Sequence, residues 1–155
     1  MNLASLLTVD QIIPSMRATG HREAIVELVD HLVASGNLPP DKREEVLTAL
    51  QNREEKISTG IGSGVAIPHA FSACVEKVIA VFGRSLPGID FESLDDAPVH
   101  NIVLFIVPKK EYHLHLRTLA AIAKLFTNRE VRQRLAEAET RDEIHEIFAS
   151  RPARA

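Results

Sequence analysis

The chain has 155 residues, 45% of them hydrophobic and 25% charged, with a formal net charge of -3. That length suits one domain over 1–155, long enough to bury roughly 70% of the surface its unfolded chain exposes. The charge balance excludes a basic footprint for nucleic acid, no window reaches the ~18 apolar residues of a membrane span, and the single Cys74 excludes an internal disulfide or a cysteine-rich zinc site. The opening MNLASLLTVDQIIPSM lacks a positive n-region and a sustained apolar run, so it does not read as a signal peptide. The expectation is a soluble cytoplasmic protein, with Cys74 a core or loop residue.

In chain order, Gln11 to Ala18 reads as a strand with an edge-type Pro14. REAIVELVDHLVASG, from Arg22, sets Ile25, Leu28, Val29, Leu32 and Val33 on one helical face and stops at Gly36. Asp41 with Glu44 predicts a capping box for a helix through about Glu55. Val78 to Phe82 reads as a strand, and Pro87, Gly88 and the Asp95-Asp96 pair as a turn-rich connection. The apolar run Ile102 to Val107, ended by Pro108, suits a central strand buried on both faces. Helices are predicted over Tyr112 to Phe126 and Arg129 to Ala138, and a last one, capped by Thr140 with Glu143, through Phe148. Helices and strands alternate, so the fold class is α/β.

Two stretches carry the chemistry. The first is TGIGSGVAIPHA, Thr59 to Ala70: three glycines, a brief apolar piece, then Pro68 and His69. Glycine permits a sharp bend and close approach to the backbone, while proline fixes φ and pushes its predecessor toward an extended shape. The segment reads as a bent loop and a short extended piece whose stop presents an imidazole. It is no dinucleotide fingerprint, since Pro68 prevents a helix from opening there, and it lacks the Gly-Lys-Ser/Thr of a P-loop. The glycine N–H groups of Gly62 to Gly64 could form an anion-binding concavity.

The second stretch is HLHLRTLAAIAKLF, His113 to Phe126, in which Tyr112, Leu116, Leu119, Ala120, Ala123 and Phe126 are predicted to form the buried stripe. His113 and His115 stand about 200° apart around a helix, so they cannot together chelate one metal. Both flank the predicted stripe, and spacing alone does not choose between them. A surface histidine plus one packed at the stripe edge is the plainer alternative.

TGIGSGVAIPHA resembles the active-site signature of the fructose/mannitol-type (type 2) enzyme IIA domains of the bacterial phosphoenolpyruvate-dependent phosphotransferase system. Arg53-Glu54, Ile89-Asp90-Phe91, Asp95, Pro98-Val99 and the register His115-Leu116, Leu119, Ile122-Ala123 extend the resemblance over essentially the whole chain. It implies a single domain with a mixed β-sheet flanked by helices on both faces. It further implies that His69 accepts a phosphoryl group as a tele-phosphohistidine, with His115 beside it and Arg53 at the phosphate, and that His113 is incidental. The donor implied is an HPr-like phosphocarrier, and no metal or organic cofactor is required.

These residue types suit that task. Phosphoryl transfer asks mainly for positioning and charge stabilisation, imidazole has an ordinary pKa of about 6.5 and is nucleophilic when neutral, and a planar guanidinium matches phosphate oxygens. Two downstream roles follow from the resemblance. One is a nitrogen-regulatory protein whose phosphorylation gates binding to kinases or transporters; the other is a sugar-specific component passing phosphate to a IIB cysteine. No IIB, IIC or HPr segment lies in the 155 residues, and VRQRLAEAETRDEIHEIFAS looks like the regulatory members, which favours the first.

Overall fold

A computed structural model describes residues 3–56, 60–62, 64–73, 75–91, 97–126 and 128–150, with positions 3, 54–56, 60–62, 112–115, 117 and 118 described in their backbone only. Cys74, Thr59 and the Asp95-Asp96 pair lie outside the described residues. Among these, the elements run α1 (Leu3–Leu6), β1 (Ile12–Ile13), α2 (His21–Ala34), α3 (Arg43–Lys56), β2 (Gly60–Gly62), β3 (Val65–Ala66), β4 (His69–Ser72), β5 (Ile79–Ile89), β6 (Val99–Pro108), α4 (Tyr112–Phe126), α5 (Arg129–Glu137) and α6 (Arg141–Ser150).

The sheet is mixed and centred on β6. Its order is β1-β5-β6-β3-β2, with β4 also paired to β6. β5 and β6 are antiparallel, whereas β3 and β4 both run parallel to β6. The apolar run of β6 sits under helices on both sides, so alternate residues enter different cores. Ile102, Leu104 and Ile106 join the residues of α2 and α3. Val103, Phe105 and Val107 join those of α4, α5 and α6, where Phe82, Phe126 and Phe148 pack with ring centroids 5.2–5.8 Å apart.

Several sequence expectations change in physical detail. The first strand is only Ile12–Ile13, because Pro14 ends it rather than riding on its edge. The predicted capping box at Asp41 does not form: a 3-10 turn starts one residue earlier at Pro40, Lys42 N donates to Pro39 O, and Glu44 pairs with Arg43 instead. Pro87 and Gly88 lie within β5, where the register to β6 shifts between Arg84 and Ile89 and Gly88 takes a φ of 95°. A bulge thus absorbs what reads as a turn. The last helix does use its predicted cap, with Glu143 N donating to Thr140 Oγ1 at 3.2 Å and Glu139 N donating to Glu143 Oε2 at 2.8 Å.

Arg84, which sequence reasoning passed over, is buried in β5 and locks three elements. Its Nε donates to Pro14 O at 2.9 Å and its Nη1 to Leu135 O at 2.7 Å and to Ala138 O. The last two are carbonyls at the end of α5, where a cation also meets the negative end of the helix dipole. Burial pushes its pKa down from the usual arginine range, and Glu143 opposes the shift.

Candidate functional site

The two short strands β3 and β4 are halves of one extended segment lying along β6. Val65 and Ala66 pair with Asn101 and Ile102, and His69 to Ser72 pair with Phe105 to Pro108. Ile67 and Pro68 are the interruption. Proline brings no N–H to a ladder, yet its carbonyl still accepts from Phe105 N at 2.9 Å, so the chain stays against β6 while the pairing lapses.

That lapse positions the imidazole of His69. Its Nδ1 lies 2.9 Å from the carbonyl oxygen of Ile67, two residues back. A carbonyl only accepts, so Nδ1 carries the proton. In the neutral ring this leaves the lone pair on Nε2. The imidazole is half-buried and meets the ring of Phe71 edge to face, with centroids 6.1 Å apart and planes at 81°. Strand alternation explains the pair, since residues i and i+2 share a face. Ala70 points into the α2/α3 core, whereas Phe71 packs against the α4–α6 core.

α4 lies on that same side, packed on β6. Its buried residues are Ile122 and Phe126, with Leu119 partly buried against the same core, while Leu116 and Ala120 are exposed. The stripe is therefore rotated from the predicted one, which included Leu116 and Ala120 and omitted Ile122. At about 100° per residue, position 115 falls in line with 119, 122 and 126, and position 113 on the opposite side. Arg53 stands half-buried in the last turn of α3, and α3 packs against β4. Of the three predicted residues, His69 thus lies on β4, Arg53 on α3 against β4, and His115 on α4, which packs on the other face of the sheet against β6.

The glycines do not surround His69. Gly64 turns the β2–β3 hairpin with a φ of 75°, and its carbonyl accepts from His100 N at 2.8 Å and Asn101 N at 3.0 Å. At ~3.3 Å per strand residue it sits about 17 Å from His69 along the strand. The anion concavity considered at Gly62 to Gly64 is therefore not beside the imidazole. A crevice of about 600 Å³ opens past the ends of β4 and β6, lined by Ser72, Val75, Pro108, Lys109 and Lys110 among others, and His69 is not in its lining. A surface groove of about 780 Å³, lined by α2 residues together with Arg17, Ala18 and, from α3, Gln51, does not contain His69 either. Among the described residues no cluster of His, Cys, Asp and Glu is arranged to hold a metal, and no helix is long and apolar enough to cross a membrane.

The family model for the phosphoenolpyruvate-dependent sugar phosphotransferase system, EIIA 2, matches residues 5–151. The chain belongs to this family. It is 34% identical over 146 residues to the fructose-specific EIIA component of Haloferax volcanii, covering 94% of each chain. It is 30% identical over 155 residues to the nitrogen regulatory protein of Bradyrhizobium diazoefficiens, covering 100% of this chain and 99% of the other. A fructose-specific EIIABC component of Bacillus subtilis is 37% identical over 148 residues, 96% of this chain, which spans 23% of that protein's length. The crystal structure of the nitrogen regulatory protein IIA-Ntr from Neisseria meningitidis superposes with a TM-score of 0.85 at 27% identity, over 94% of this chain and 98% of that one. The relatives carry both the regulatory and the sugar-specific name. As a type 2 EIIA the protein is a phosphotransfer component with a mixed sheet between helical layers.

Two parts of the site escaped sequence reasoning. The Ile67 carbonyl follows from the proline break, which a reader can see at Pro68 but whose free acceptor needs the ladder register. Phe71 is legible as the i+2 neighbour of His69 once β4 is known to be a strand.

Proposed function

We propose that this protein accepts a phosphoryl group on His69 Nε2 from the phosphohistidine of an HPr-like carrier, and that its phosphorylation state serves nitrogen-regulatory signalling. The observation that carries the acceptor assignment is the hydrogen bond from His69 Nδ1 to the Ile67 carbonyl. It holds the proton on one nitrogen and keeps the other as nucleophile. As the Nε2–P bond forms, the P–N bond of the donor breaks and its electron pair returns to the donor nitrogen. The ring gains positive charge, which strengthens the Nδ1–H bond to Ile67 O. Arg53 meets the phosphoryl oxygens and stabilises their charge through the loose transition state. His115, on the sheet-facing register of α4, acts on the same group.

The regulatory use is supported by the end-to-end similarity to the Bradyrhizobium protein and by the fold shared with the Neisseria one. The second reading, transfer onward to a cysteine of a IIB partner for sugar uptake, is supported by the Haloferax relative. Incubation with phosphoenolpyruvate, enzyme I and an HPr-like carrier is expected to add one acid-labile phosphoryl group per chain. Subsequent addition of IIB domains distinguishes the readings: retention of the label fits regulation, and rapid chase onto a IIB cysteine fits sugar transport. Absence of any acid-labile label would refute both.

A further inference from the structure

We infer that Phe71 is a positioning residue for phosphoryl transfer, fixing the plane of the His69 imidazole so that Nε2 has one aim. The inference rests on the reading of His69 as acceptor. The bond from Nδ1 to Ile67 O is one contact at one ring atom, and within its tolerance of length and angle χ1 and χ2 of His69 can still shift together and turn Nε2. The ring of Phe71 supplies a further restraint, standing at 81° to the imidazole with centroids 6.1 Å apart. Phe71 is itself held, being partly buried against the core that contains Phe105, Val107 and Phe126. The aim of the nucleophile is thereby referred to the packed α4–α6 layer rather than to the four-residue strand alone.

The geometry has a chemical consequence. In-line displacement at phosphorus needs the Nε2 lone pair pointed along one direction, and a rocking ring spends part of its time misaligned. Losing that restraint is expected to lower the rate about 3- to 10-fold, below the roughly 10²-fold that a ~1 Å misplacement of reacting groups can cost. The loss falls on the transfer step, because Phe71 has no role in this scheme in holding the donor.

The test uses the full chain and phosphoramidate as a chemical donor, so that no partner protein enters. Its P–N bond breaks as the Nε2–P bond forms, and ammonia leaves. Phe71→Leu keeps apolar bulk without the ring, and Phe71→Met does the same with an unbranched chain should the first variant fold poorly. The expected result is a 3- to 10-fold lower saturating single-turnover rate at an unchanged half-saturating donor concentration, with Phe71→Tyr restoring the rate. Ring-current shifts of the His69 carbon-bound protons should disappear in the Leu and Met variants and return with Tyr. A folded Leu or Met variant with the normal saturating rate, or with only the half-saturating concentration altered, overturns the role of Phe71. If His69→Ala is labelled as fast as the unaltered protein, the acceptor reading itself fails, and the inference with it.

Discussion

β3 and β4 run parallel to the same strand, are separated by two residues, and do opposite things. Val65 and Ala66 are fully buried, one in each core, and the hairpin leading into them is clamped to β6 through the Gly64 carbonyl. His69 and Phe71 of β4 are only half-buried and share one face. The difference lies in Ile67-Pro68. Where the ladder continues, backbone groups serve the sheet; where proline interrupts it, the Ile67 carbonyl is available to an imidazole. One extended segment thus provides anchorage at one end and, at the other, the imidazole proposed as the nucleophile.

Substitutions in the two halves should separate rate from stability. His69→Gln removes the nucleophile and keeps a polar side chain, so labelling from the phosphorylated carrier should be abolished while the unfolding midpoint stays near that of the unaltered protein. Arg53→Gln should lower the transfer rate on the order of 10²-fold, the scale for losing one charge-stabilising group; quench-flow with the phosphorylated carrier reads it directly, and an unaltered rate would remove Arg53 from the site. His115→Ala should slow transfer by about ten-fold, within the 10²-fold ceiling typical of small misplacements, whereas His113→Ala should not. Equal effects of the two would break the register argument for α4. In the other half, Gly64→Ala should leave the transfer rate per folded molecule intact but cost about 1–2 kcal/mol in denaturant unfolding, because a side chain is placed at positive φ. The added Cβ also lies 3.4 Å from His100 Cδ2, so the His100 ring must yield slightly.

Long apolar and periodic segments were the legible part of this chain. The bounds of α4, Tyr112–Phe126, coincide with the sequence reading, and β6 contains its predicted core run. What sequence periodicity misjudged was rotation. Leu116 counts as apolar wherever it stands, yet the packing of α4 leaves it 43% exposed and buries Ile122 completely. Only contact with a sheet face settles which side of an evenly apolar helix turns inward. Pro87-Gly88 misled for a related reason, since a dipeptide that favours turns is also what a β-bulge needs. At the site, His69 stood out because proline precedes it, and His115 and Arg53 through resemblance. The Ile67 carbonyl, the Phe71 ring and Arg84 depend on long-range register or packing that one-dimensional spacing does not carry.

The central claim is that the Ile67 carbonyl holds the proton of His69 on Nδ1 and leaves Nε2 to accept the phosphoryl group. Long-range ¹H–¹⁵N correlation spectra of the uniformly ¹⁵N-labelled protein, before and after phosphorylation, test it most directly. The account predicts a protonated Nδ1 at His69 beforehand and phosphorus on its Nε2 afterwards. Phosphorus on Nδ1 of His69, or on any other residue, would contradict it.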